Sequence, residues 1–271
     1  HALSLVKSGD FFLTALGQSE ARAILLKMHT LAGKVKHVRV GSCLNMLNYP
    51  YITDPACIDT FVHESWFFTP ALRAAYKNGN VSYIPNHLSL AVKNFLAARK
   101  INVFVGMVSW PDEHGYMSIL SNVYERDMMD NADLVILEIN KKCPRTFGEN
   151  QVHIDEVDHL IAVDYDVPEL PDTPPTEKDK QIASYIIPEI EDGSTIQLGI
   201  GGTPSAVAAG LVGKKDIGIH TEMFTTSMAK LIKAGTITGK EKNVYRGLHV
   251  CSFIMGTKEL YDFVDNNPSV F

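Results

Sequence analysis

Gln197-Leu198-Gly199-Ile200-Gly201-Gly202-Thr203-Pro204-Ser205-Ala206-Val207 joins a short apolar run, Thr195 to Leu198, to an alanine-rich run ending at Leu211, just before Gly213. Read outward from its three glycines, the stretch is strand, tight loop, helix. That is the repeating unit of an α/β fold. Glycines here let the backbone approach a ligand closely and take positive φ at no steric cost. Thr203 is the expected helix cap through its hydroxyl, and Pro204 suits the first helical position, where its missing N–H would be unpaired anyway. The remaining N–H groups and the helix dipole favour an anion or a developing oxyanion.

The same grammar runs along the whole chain. Upstream, strands are expected at Phe11–Leu16, Val35–Val40, Val81–Ile84, Val103–Val108 and Leu134–Ile139, with helices over Ser19–Leu31, Leu88–Ala98 and Asn122–Asn131. The Val103 and Leu134 runs are apolar almost throughout, the pattern of strands covered on both faces. Downstream come a helix over Lys178–Ile190 interrupted near Pro188, a strand at Ile217–His220, a helix over Thr226–Ala234 ended by Gly235, a strand at Val250–Met255 and a helix over Lys258–Asp265. The fold class is α/β, mainly a parallel sheet with flanking helices.

Four prolines fall within the nine residues Val167-Pro168-Glu169-Leu170-Pro171-Asp172-Thr173-Pro174-Pro175. They cannot continue a helix or a central strand, and they favour an extended connection. The expected organisation is therefore an α/β domain over residues 1–167, a linker over 168–175 and a second α/β domain over 176–271. The second segment is short for a complete α/β domain, so the reading expects it to be the first part of one.

Composition excludes several classes. The 271 residues are 45% hydrophobic and 21% charged, ordinary for a globular protein that needs no disulfide or metal staple. A net charge of −6 argues against a nucleic-acid partner. No apolar run approaches the ~20 residues that span a bilayer, and no secretory leader pattern opens the chain. Cys43, Cys57, Cys143 and Cys251 are widely spaced and form no zinc pattern with histidine. Free thiols in a cytoplasmic protein, with no metal site, are expected.

The candidate chemistry lies in Gly218-Ile219-His220-Thr221-Glu222-Met223-Phe224. Glu222 is placed just past a strand end, where open α/β sheets gather their ligands. Three readings of the loop and this acid stand side by side. One is a dinucleotide site of a dehydrogenase, with G-x-G followed about 20 residues later by an acid, although Pro204 holds the place of the third glycine. Another is an oxyanion loop facing a nucleophilic carboxylate. The third is a plain turn beside a solvated acid. His220 shares a side with Glu222 on an extended strand, where it either tunes the acid or simply packs. His87 either lines a carboxylate pocket at a strand-to-helix corner or serves as a cap or buried histidine. Ser109, Asp112 and Gly115 shape a turn, with contact between Ser109 and substrate left open. His114 reads as a surface residue.

Taken together, these residues resemble the acetyl-CoA hydrolase/transferase family of class I CoA-transferases. Gln197 to Val207 matches its Q-L-G-I-G-x-x-P-x-A-V stretch, and Gly218 to Met223 its G-I-H-[ST]-E-M, in the same order and spacing. Phe253-Ile254-Met255-Gly256-Thr257-Lys258-Glu259-Leu260-Tyr261-Asp262-Phe263, Asn266-Asn267-Pro268, Ser109 to Gly115, and Trp66 to Pro70 with Arg73 continue the match. The likeness is greatest to the 4-hydroxybutyrate and butyryl-CoA:acetate CoA-transferase branch.

The resemblance implies a NagB/RpiA-like fold and an enzyme that passes CoA between short-chain carboxylic acids. Glu222 is the implied nucleophile. Gly199, Ile200, Gly201 and Gly202 are the implied oxyanion and CoA-binding backbone, with His87, Ser109 and His220 as pocket candidates. CoA and acyl-CoA enter as co-substrates, small carboxylic acids as partners, and no tightly bound cofactor is implied. Family members are larger homo-oligomers with a further glycine-rich stretch, so roughly 150 residues of second domain are expected beyond this chain, which by itself is expected to be inactive. A hydrolase of the same family and a non-catalytic fragment that binds acyl-CoA or a partner chain are the alternatives.

Overall fold

The computed structural model describes residues 2–271; His1 lies outside the described residues. Among the described residues two compact units form, one from 2–143 with 152–167, the other from 144–151 with 168–271. The strands are β1 (Phe11–Thr14), β2 (Val38–Ser42), β3 (Phe61–Ser65), β4 (Val81–Tyr83), β5 (Val103–Ser109), β6 (Tyr116–Ser118), β7 (Val135–Asn140), β8 (Gln151–His153), β9 (His159–Val163), β10 (Thr195–Ile196), β11 (Gly218–Phe224) and β12 (Val250–Ile254). The helices are α1 (Arg22–Lys27), α2 (Pro50–Thr53), α3 (Pro70–Ala75), α4 (Ala91–Ala98), α5 (Glu125–Asp130), α6 (Glu177–Ile186), α7 (Gly202–Gly210), α8 (Thr226–Lys233) and α9 (Lys258–Val264).

The first unit is built on a seven-stranded sheet of order β4-β3-β2-β1-β5-β7-β9, with every pairing parallel. The fold class expected from the sequence is the one observed. β5 is buried at all seven positions, as a strand covered on both faces must be. Phe12, Val38, Val40, Phe61, Val103, Val105 and Ile136 form the middle of the core. At about 1.5–3 kcal/mol for each large apolar side chain withdrawn from water, they are the main source of the sheet's stability.

Buried carboxylates tie the connections to this sheet. α1 has no capping side chain of its own. Glu138 of β7 reaches across instead, and its two oxygens accept from Ala23 N at 3.1 Å and Ile24 N at 2.7 Å. Its remaining partner is the Tyr165 hydroxyl. Glu125 accepts from Leu16 N, Val123 N, Tyr124 N and the Ser121 hydroxyl, all within 3.0 Å. Burial raises the pKa of both acids.

The second unit carries a three-stranded parallel sheet, β10-β11-β12. The proline-rich segment is no free spacer here. Leu170 N donates to Gly256 O at 2.8 Å, the Tyr261 hydroxyl to Pro168 O at 2.6 Å, and Lys258 N to Glu169 Oε2 at 2.9 Å. These bonds strap it along the corner between β12 and α9.

Several elements differ from expectation in length. The Ser19–Leu31 helix is α1 followed by a 3-10 turn at Met28–Leu31. Pro188 ends α6 at Ile186, and a 3-10 turn follows. β11 runs four residues past the expected end at His220, so Glu222 lies inside the strand. Pairing with β12 as far as Phe224↔Ile254 extends it.

Candidate active site

The glycine loop lies between β10 and α7. Gly201, with φ 115°, is the N-cap residue of α7. The helix therefore starts at Gly202, and Thr203 and Pro204 fall inside its first turn. Thr203 does not cap it. Its hydroxyl donates instead to Asp179 Oδ1 at 2.6 Å.

Asp179 accounts for this change. Thr176 and Asp179 form a capping box at the start of α6, and Asp179 Oδ2 accepts from Thr176 N and from the Thr176 hydroxyl. These hydrogen bonds, then the one from Thr203, lower its pKa. The carboxylate sits against the first turn of α7, where a negative charge is favoured. A Cβ on Gly202 would lie 2.4 Å from Asp179 Oδ2, so a larger residue there would have to push that hydrogen-bonded carboxylate aside. A Cβ on Gly201 meets nothing within 4 Å, and there it is the positive φ that favours glycine. Gly199 and Ile200 are exposed.

β10 and β11 pair in parallel with Thr195↔Gly218 and Ile196↔Ile219. The paired residues end there, and the chain enters the loop with Leu198 still beside Thr221. The Thr221 hydroxyl donates to Leu198 O at 3.4 Å. Along β11, His220 and Glu222 are exposed while Thr221 and Met223 are buried. The alternation of a strand thus places His220 and Glu222 on one face. The Tyr245 ring lies edge-on to His220 at 6.1 Å.

On the Met223 side lies a cavity of about 300 Å³, lined by the glycine loop, Asp172, Ser205, Met223, Thr225 and Met255 among others. Glu222 is not among its lining residues. Burial raises the pKa of Asp172.

The sequence did not mark Lys242. It is 5% exposed, and its ammonium donates to Ile219 O at 2.8 Å and Leu248 O at 2.7 Å, clamping β11 to the turn before β12. Burial lowers its pKa. A single lysine in a glycine-bounded turn gives no advance sign of such a contact. Asp179 did give one, since T-x-x-D before a helix is a capping signature.

The two pocket candidates of the first unit behave differently. His87 is exposed and makes no side-chain cap. Ser109 is 1% exposed, and its oxygen accepts from Ser118 N at 2.9 Å, so it closes the turn between β5 and β6. His114 is exposed. Among the described residues, no three His, Cys, Asp or Glu side chains are grouped to hold a metal ion, and no helix is long and apolar enough to cross a membrane.

Parallel α/β units with a glycine loop leading from strand to helix define the class of fold. The profile of the acetyl-CoA hydrolase/transferase N-terminal domain matches residues 1–171, and the chain belongs to that family. It is 33% identical over 99% of its length to a succinyl-CoA:cyclohexane-1-carboxylate CoA transferase of Geobacter metallireducens, covering 61% of that protein. A 4-hydroxybutyrate coenzyme A transferase of Clostridium kluyveri is 39% identical over 78% of the chain and 49% of the relative. Among solved structures, RipA of Yersinia pestis superposes with a TM-score of 0.94 at 27% identity, over 100% of this chain and 65% of RipA. The chain spans less than two thirds of the length of each of these relatives.

Proposed function

We propose that this chain carries the nucleophile and oxyanion loop of an enzyme that transfers CoA between short-chain carboxylic acids. The observation that carries the reading is the parallel pairing of β10 with β11, which brings the loop after β10 and the exposed Glu222 near the end of β11 toward the same end of the sheet. Two relatives named as CoA transferases support it. On this reading residues 1–167 form the CoA-transferase-like domain, 168–175 the linker and 176–271 the part of the second domain that holds the nucleophile.

The Glu222 carboxylate attacks the thioester carbonyl of an acyl-CoA, giving a mixed acyl anhydride and CoA thiolate. The thiolate attacks the glutamyl carbonyl of that anhydride. The acyl group leaves as its carboxylate, and a glutamyl-CoA thioester remains on Glu222. An acceptor carboxylate attacks this thioester and expels the thiolate, which then takes the acceptor's acyl carbonyl and frees Glu222. One thioester is exchanged for another, so no net proton transfer is needed. Each tetrahedral oxyanion is stabilised by loop N–H groups, with Ile200 N–H foremost, a donor of this kind being worth about 3 kcal/mol. Gly199 and Gly201 give that backbone its close approach, and Gly202 seats it on Asp179. His220, on the face of β11 that carries Glu222, is available to a substrate carboxylate; His87 is kept as a pocket candidate of the first unit, and Ser109 acts through the turn it closes.

The test is a steady-state study of the full-length protein with acyl-CoA and an isotopically labelled carboxylate. Parallel double-reciprocal lines and label in the new acyl-CoA are expected. Intersecting lines contradict the covalent intermediate. Release of free CoA at the same rate without acceptor makes the enzyme a hydrolase.

A further inference from the structure

The turn that follows β1 buries more polar oxygen than it satisfies. Thr14, Gln18, Ser19 and Glu20 are each 4% exposed or less, and they lie within seven consecutive residues wound through the 3-10 turn Gly17–Ser19. Thr14 Oγ1, Gln18 Oε1, Ser19 Oγ and Glu20 Oε1 find no hydrogen-bond partner among the protein's own atoms.

The corner around them is otherwise fully engaged. Glu20 Oε2 accepts from the Tyr49 hydroxyl at 2.8 Å and from Met46 N at 3.1 Å. Gln18 Nε2 donates to Leu120 O at 3.4 Å, Gly17 N to Cys43 O at 3.2 Å, and the Tyr124 hydroxyl to Thr14 O at 3.0 Å. Loose packing therefore does not explain the four unmet oxygens. Each buried polar atom left unpaired carries its full desolvation penalty, and four in one turn is a load a marginally stable fold does not carry. The usual partner of such atoms is buried water. The place is also suggestive, because β1 is the central strand, with β2 on one side and β5 on the other, where α/β sheets open a crevice at their carboxyl ends.

The protonation of Glu20 follows from its surroundings. The ionisable side chains that feel its charge are the phenols of Tyr49, Tyr51 and Tyr124, and none of these is a cation. Burial pushes its pKa up to about 8 against the two hydrogen bonds that lower it. With Oε2 already accepting twice, the proton belongs on Oε1.

We propose that this corner is a binding site for ordered internal water, in which Glu20 stands as a neutral carboxylic acid and donates from Oε1 to water held by Thr14, Gln18 and Ser19. Through Met46 and Tyr49 the same acid joins the turn after β1 to the turn after β2. Its ionisation would place an uncompensated charge between them.

A high-resolution crystal structure of the full-length protein should show ordered water within hydrogen-bond distance of Glu20 Oε1 and of at least two of the other three oxygens. Any drier corner overturns the water site. The acid is tested separately through stability. A folded-state pKa raised above the unfolded value means the folded state binds more protons between the two, so stability falls as pH rises from about 4.5 to about 8. Glu20→Gln keeps the neutral hydrogen-bonding group and removes this component. Its melting temperature relative to the unmodified protein should therefore climb steadily across that range. A difference that does not change with pH overturns the neutral acid.

Discussion

Glu222 lies on a strand whose alternation turns it and His220 to one face, and the glycine loop before α7 is shaped by positive φ at Gly201 and close packing at Gly202. Glu222→Gln keeps the size and removes the carboxylate proposed as nucleophile, so CoA transfer should fall roughly 10³-fold or more, with the melting temperature unchanged because the side chain is exposed. Gly202→Ala should cost about 1–3 kcal/mol in urea unfolding by driving a methyl group into Asp179. Shortening that partner in the double variant Gly202→Ala with Asp179→Gly should recover part of the loss, a coupling that a cycle of the two single variants measures. Much of this site was legible in the residues. Strand, glycine loop, helix and a carboxylate two residues after a histidine are all local patterns. The reason for the third glycine was not, because it depends on Asp179 of a different helix, 23 residues earlier than Gly202 by sequence number.

At the scale of the elements, α1 is held by an acid from a strand more than a hundred residues away. Glu138→Ala leaves two helix N–H groups without acceptors in the core and should lower unfolding stability by about 2–4 kcal/mol, read as a shifted urea midpoint with an unchanged slope. Glu138→Gln, which keeps one carbonyl acceptor, should lose less. The Leu134–Ile139 run announced a buried strand, but nothing local said what the glutamate inside it was for. β3 escaped the reading for a related reason. His63 and Glu64 interrupt its apolar pattern, yet both are buried because Ser42 and Tyr51 meet the histidine and Arg39 meets the acid. β9, at the edge of the sheet, is half-buried or exposed along its length, and its apolar run Leu160-Ile161-Ala162-Val163 is short and flanked by polar residues. β11 was cut short at His220 because the two exposed polar residues look like a strand end, whereas pairing with β12 carries them on.

Over the whole molecule, two of the ten histidines stand apart. Burial lowers the pKa of His63 to about 3, and burial with the nearby Lys242 charge lowers that of His249 to about 4. In both, the unfolded state takes up protons first as pH falls below about 6.5, so their contribution to stability is lost progressively towards pH 4 and below. Histidine ring resonances in NMR should show two imidazoles still neutral at about pH 5. Titration of either near its ordinary value would contradict the buried neutral assignment. The proposed reaction turns on one bond, the thioester that would form between CoA and Glu222. The full-length protein, held with acyl-CoA and no acceptor, reduced with borohydride and digested, should yield by mass spectrometry one peptide in which Glu222 has become the corresponding alcohol. An unmodified Glu222, or the alcohol on any other acidic residue, would contradict the account.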